Sequence, residues 1–185
     1  MKKILSLFAL AIPSVAFAHA GHDHASLLAG LFHPMSGIDH LLAMLAVGLW
    51  AASFSGYVRW LISSIFVSAM LIGFAIGLQG FELPHTEAWI AASVMILGMM
   101  VAWARKIPTA LAGAMVAVFA VFHGMAHGSE MSGGSELNFA FGFVLTTAAL
   151  HAIGMLVASQ FNAKAWTVRL VGLAMGMTGL YLTVA

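Results

Sequence analysis

From Ser36 onward the chain is a succession of apolar stretches, each close to the roughly 20 residues that cross the hydrocarbon of a bilayer as a helix. They cover 36–54, 60–79, 86–103, 109–127, 137–159 and 166–183, with polar breaks between them. A run of this kind cannot solvate itself. Composition agrees: 62% of residues are apolar, 7% are charged and the mean hydropathy is +1.03, against about 45–50% and about 25% in ordinary soluble chains. The expected fold is therefore all-α, a polytopic membrane protein built as a six-helix transmembrane bundle. The short links make neighbouring helices antiparallel.

What is missing excludes several functions. Seven basic and six acidic residues, with a net charge of +1, leave no basic patch to hold the phosphates of nucleic acid. The absence of Cys removes disulfides, thiolate metal sites and cysteine nucleophiles. No Gly-x4-Gly-Lys-Ser/Thr loop occurs, so ATP is not used within this chain. Against this background the nine histidines outnumber Lys plus Arg and Asp plus Glu alike.

Residues 1–18 read as a signal peptide: Met1-Lys2-Lys3, an apolar run to Phe17 broken by Pro13, and the small residues Ala16 and Ala18 before a cut ahead of His19. An uncleaved anchor is the alternative. Cleavage would leave 19–185 as the membrane domain, opening with a tail at 19–25 that carries His19, His22, His24 and Asp23. Positive charges then mark alternate links, at Arg59, at Arg105 and Lys106, and at Lys164 with Arg169. By the positive-inside rule those links are cytoplasmic. The acids Asp23, Glu82, Glu87, Glu130 and Glu136 fall on the other side, so both mature termini are expected to be extracytoplasmic. Gly73/Gly77, Gly124/Gly128 and Gly172/Gly176 put small residues one turn apart, which suits close helix contact in lipid.

Two histidine constellations fall at the outer ends of spans. In the first, His33-Pro34-Met35-Ser36-Gly37-Ile38-Asp39-His40 opens the first mature span. Pro34 disfavours helix at the residue before it and suits a first helical position. His33 is accordingly expected on an extended segment, with Ser36 and Met44 on the stripe of His40. A capping Asp39 with histidines that tolerate the headgroup zone is the plain alternative, and three such residues in eight positions exceed what it accounts for. An Asp at the centre of a span costs about 2.5–3.5 kcal/mol, less near its edge, and calls for a partner.

The second constellation, Phe122-His123-Gly124-Met125-Ala126-His127-Gly128-Ser129-Glu130, ends the fourth span. His123 and His127 share a helix face at i, i+4, the spacing with which two imidazoles grip one cation, and Glu130 follows one turn later. Such spacing is weak alone. The topology brings it to the outer half beside His33, Asp39 and His40. His127 and Glu130 as solvated loop residues, and Met125 as core filler, remain the bland readings. His151 lies well inside the fifth span with Thr147 one turn before it. It is expected to bond to a partner across the bundle, as a deeper stop for an ion or as a structural histidine. His85, between Glu82 and Glu87, reads as a surface residue.

These motifs, His33-Pro34-x-x-Gly37-x-Asp39-His40 and Phe122-His123-Gly124-x-Ala126-His127-Gly128-x-Glu130, resemble those of the HupE/UreJ family. The resemblance spans essentially the whole chain. It implies a small permease of the bacterial inner membrane, not an enzyme, that moves nickel and in some members cobalt for hydrogenase or urease maturation. It also implies a metal role for His33, Asp39, His40, His123, His127 and Glu130, without defining the coordinating set. No prosthetic group is expected. The ion is cargo, and a homo-oligomer and metal-delivery or maturation proteins are left open as partners. Imidazole and carboxylate suit borderline divalent ions in general, so the residues themselves do not select nickel. The rivals are an intramembrane zinc-dependent hydrolase, with Ser36 or Glu130 as its acid or base, and a haem-binding electron carrier.

Overall fold

The structure, a computed structural model, describes residues 26–81, 84–131, 135–160 and 165–184. The expected signal peptide, His19, His22, His24, Glu82 and Lys164 lie outside the described residues. Among the described residues seven helices follow in order: α1 Leu27–Ser36, α2 Ile38–Ala51, α3 Val58–Gly77, α4 Thr86–Trp103, α5 Thr109–Ser129, α6 Glu136–Gln160 and α7 Ala165–Val184. The all-α membrane architecture is as expected. Five of these helices, α3 to α7, are each long and apolar enough to cross a bilayer.

The first mature span is different. The expected single helix over 36–54 is replaced by α1 and α2, which meet at 85°. Ser26 starts α1 by accepting from the Ala29 amide at 3.1 Å. Pro34 then sits inside α1 and His33 is helical, not extended. A proline this close to a helix end forfeits one backbone hydrogen bond, to the carbonyl four residues back, and α1 tolerates that. The chain breaks at Gly37 instead, whose backbone is extended at φ −105° and ψ 129°. A Cβ there would lie 2.6 Å from Asp39 Oδ1 and 3.0 Å from His40 Nδ1. Glycine is therefore what lets the chain turn directly over that pair.

The helices pack as α3 along α5, α4 along α7, and α1 and α2 together along α6. Lipid tails are as apolar as Leu, so association in a membrane rests on close backbone approach. The seams supply it. A Cβ on Gly124 would meet the Met70 carbonyl and Phe74 amide of α3, and one on Gly77 would meet the Met125 carbonyl of α5. Gly98 of α4 meets Gly172 and Gly176 of α7 in the same way. Trp50, Phe66, Phe139, Phe143, Met44 and Met70 fill the interior. Leu28, Phe32, Ile72, Leu111, Leu145 and Leu180 are turned outward, as a lipid-facing coat requires.

Candidate metal centre

Local sequence delivers the site from three helices. α2 begins immediately after the Gly37 bend, so Asp39 stands in its first turn, where a carboxylate complements the positive end of the helix. Asp39 Oδ1 accepts from the His40 amide at 2.8 Å and lies 2.8 Å from His40 Nδ1. A carboxylate only accepts, so the His40 proton sits on Nδ1 and the lone pair on Nε2. That Nε2 is buried and has no partner.

α5 repeats the device. His123 Nδ1 donates to the Phe119 carbonyl at 2.8 Å, one turn earlier, which leaves its buried Nε2 as a lone pair without a partner. His127, one turn on, has its Nδ1 2.7 Å from His33 Nε2 of α1, and its Nε2 is likewise buried and unpartnered. The His40 ring centroid is 4.5 Å from that of His127 and 5.2 Å from that of His123. An unpaired buried polar atom costs about 1–3 kcal/mol, so each of these three nitrogens calls for a partner that the protein itself does not supply. Hydrogen bonds that fix the far nitrogen of each ring are the usual outer support of metal-binding histidines.

The same His127 also belongs to an outer group. His33, His127 and Glu130 offer ligand atoms that all lie within 4.8 Å of one another. Glu130 Oε2 is 3.9 Å from both His33 Nε2 and His127 Nδ1, and its side chain is 56% exposed. This is the mouth of the cluster. Two imidazole nitrogens on one divalent ion stand roughly 2.9–3.4 Å apart, given metal–nitrogen distances near 2.0–2.1 Å. The His33–His127 contact is within a few tenths of that. Phe139 and Phe143 of α6 pack on the His33 ring at 5.2 and 6.1 Å, and Phe143 on His127 at 4.6 Å.

All six residues of the two motifs thus meet at one end of the bundle. Ser36 does not join them: it lies across the bend from His40, is exposed, and donates to the His33 carbonyl at 2.6 Å. His151 is fully buried on α6, but the expected partner across the bundle is absent, since neither ring nitrogen has one. Thr147 instead reaches Met70 Sδ at 3.8 Å. Sequence reasoning missed Phe66 of α3, whose ring lies 5.8 Å from His123 and 5.1 Å from His151 and stands between the cluster and the deeper imidazole. One more Phe in an apolar helix gives no signal.

The family model for HupE / UreJ protein matches residues 7–182. The chain belongs to the HupE/UreJ family. It is also similar to Protein HupE of Rhizobium leguminosarum bv. viciae, 43% identical over 182 residues, covering 97% of this chain and 95% of that protein. No solved structure matches the chain with significance. Membership of HupE/UreJ places the chain among membrane permeases and not among enzymes. The hydrolase reading therefore has no support from kinship; of its two candidate acids or bases, Ser36 is exposed and donates to the His33 carbonyl, while Glu130 stands beside His33 and His127.

Proposed function

We propose that this permease takes up divalent nickel, with cobalt as a second ion, through the site made by His33, Asp39, His40, His123, His127 and Glu130. One observation carries the reading: His33, His127 and Glu130 offer ligand atoms within 4.8 Å of one another, and the buried His40 and His123 rings next to His127 leave their Nε2 atoms without partners. Glu130 and His33 receive the ion, and His127 passes it to His40 and His123 beside Asp39. The Asp39 carboxylate offsets part of the ion's charge while it holds His40 in the tautomer that ligates. The route then runs inward past Phe66 to His151. The family resemblance, not the donor set, favours nickel, because affinity order alone would select copper.

In this reading residues 1–18 are cleaved and the His19, His22 and His24 tail gathers metal outside. The protein sits in the bacterial inner membrane with both mature ends outward, supplying metal to hydrogenase or urease maturation. Charge bias supports that orientation: Arg59, Arg105, Lys106 and Arg169 lie at the end of the bundle opposite the histidines. Transport runs as facilitated diffusion or on an ion gradient. The test is metal accumulation by mass spectrometry across a panel of divalent ions, in cells expressing wild type, His40→Ala or His127→Ala. Wild-type nickel levels in either variant would sink the assignment.

A further inference from the structure

At the other end of the bundle lies a cavity of about 260 Å³, away from the histidine cluster. Trp50, Ser53, Arg59, Ala104, Ser159 and Arg169 are among its lining residues, and among the described residues no carboxylate lines it. The described acids Asp39, Glu87, Glu130 and Glu136 all belong to helix ends on the opposite face.

Its charged side chains are two arginines, set against the C-terminal turns of α2, α4 and α6 that form the rest of its wall. Arg59 Nε and Ser53 Oγ are buried and have no partner. Arg169 spends its Nε on the Ala102 carbonyl at 2.9 Å, which fixes the guanidinium and leaves its terminal NH2 groups to serve the cavity. Arg59 stands in the first turn of α3 and Arg169 one turn into α7, and neither helix has an acid in its first turn. A cation at a helix N-terminus is placed against the helix dipole. Two such cations beside one cavity, with orphan donors between them, are relieved together by a single anion. Guanidinium forks and a hydroxyl match tetrahedral phosphate oxygens in particular.

We propose that this cavity is a phosphate-binding site held by Arg59, Arg169 and Ser53. Its ligand is a phosphate group, carried by an anionic lipid of the adjoining leaflet or free in the aqueous phase. At the basic end of a membrane protein a headgroup phosphate arrives at the right depth, and basic clusters there attract anionic lipid. The site is independent of the metal reading, and nickel uptake does not report on it.

The test uses the full chain purified in detergent and offered dioleoyl phosphatidylglycerol, the matching diacylglycerol, or inorganic phosphate. Native mass spectrometry reads retained lipid, and the thermal midpoint reads stabilisation. Wild type is expected to retain phosphatidylglycerol in preference to diacylglycerol, with Arg59→Gln and Arg169→Gln each weakening retention about tenfold and Arg59→Lys falling between. Stabilisation by inorganic phosphate as well identifies the phosphate alone as sufficient. Silence of inorganic phosphate identifies the lipid as the source. Equal retention of diacylglycerol, or wild-type retention by the Gln variants, overturns the proposal. If Arg59→Gln fails to fold, the more exposed Arg169→Gln and the small change Ser53→Ala decide it by the same readings.

Discussion

His33 Nε2 and His127 Nδ1 lie 2.7 Å apart although 94 positions separate them, and their rings meet at 89°. This contact ties α1 to α5 and makes His127 common to an outer and an inner group of donors. A neutral imidazole has one lone pair. When His127 binds an ion through Nδ1, its proton must sit on Nε2, and the inner group loses that ligand.

On the proposed site, the two sets of donors that share His127 are alternatives for one ion. Purified protein in which the 19–24 histidines are replaced is expected to bind about one divalent ion per chain. Equilibrium dialysis with elemental analysis measures this, and two tightly held ions per chain would contradict the shared role of His127.

Asp39 acts on His40 through a 2.8 Å hydrogen bond. Asp39→Asn keeps the size but can present its amide nitrogen to Nδ1, which favours the wrong tautomer. Metal affinity should fall about 10–100-fold, the usual effect of losing such support. Titration calorimetry on the variant checks it, with the unfolding midpoint expected near wild type.

Gly124→Ala tests the α3–α5 seam. Its Cβ would enter the space of the Met70 carbonyl, and backbone cannot yield as a side-chain tip does. The helices must separate, at a cost of about 1–3 kcal/mol, and His123 and His127 move with α5. Thermal unfolding and nickel uptake should both suffer. Gly80→Asn is the control: its φ is 79° and nothing lies within 4 Å of the added Cβ, and Asn tolerates the left-handed region.

His151→Leu separates passage from packing. Removing a buried polar group that has no partner is nearly neutral or stabilising when the shape is kept. The expected outcome is an unchanged or raised unfolding midpoint together with reduced nickel uptake. Normal uptake would make His151 a bystander.

Much of this was legible beforehand for physical reasons. Spans such as Thr86–Trp103 are bounded by charge and by the bilayer's demand for apolar length, and the structure places that helix over the expected residues. The i, i+4 pair His123 and His127 is local geometry, readable from spacing alone. The extended entry was expected at His33 because proline has a strong local signature, whereas the break falls at Gly37, where the side chains of Asp39 and His40 fold back on the backbone. The His33–His127 contact is a matter of which helices neighbour each other, which local pattern does not carry. Phe66 gains its position between His123 and His151 only from α3 packing on α5 and α6.

The shortness of α2 has an electrical consequence. Its 14 residues measure about 21 Å, well under the roughly 30 Å of hydrocarbon. Taken alone α2 cannot reach across that layer, so the histidine at its start, His40, stands within the depth that the 20-residue α3 and 21-residue α5 are long enough to cross. A dication crossing a membrane at 100 mV, negative inside, is driven inward by about 4.6 kcal/mol, twice the value for a single charge.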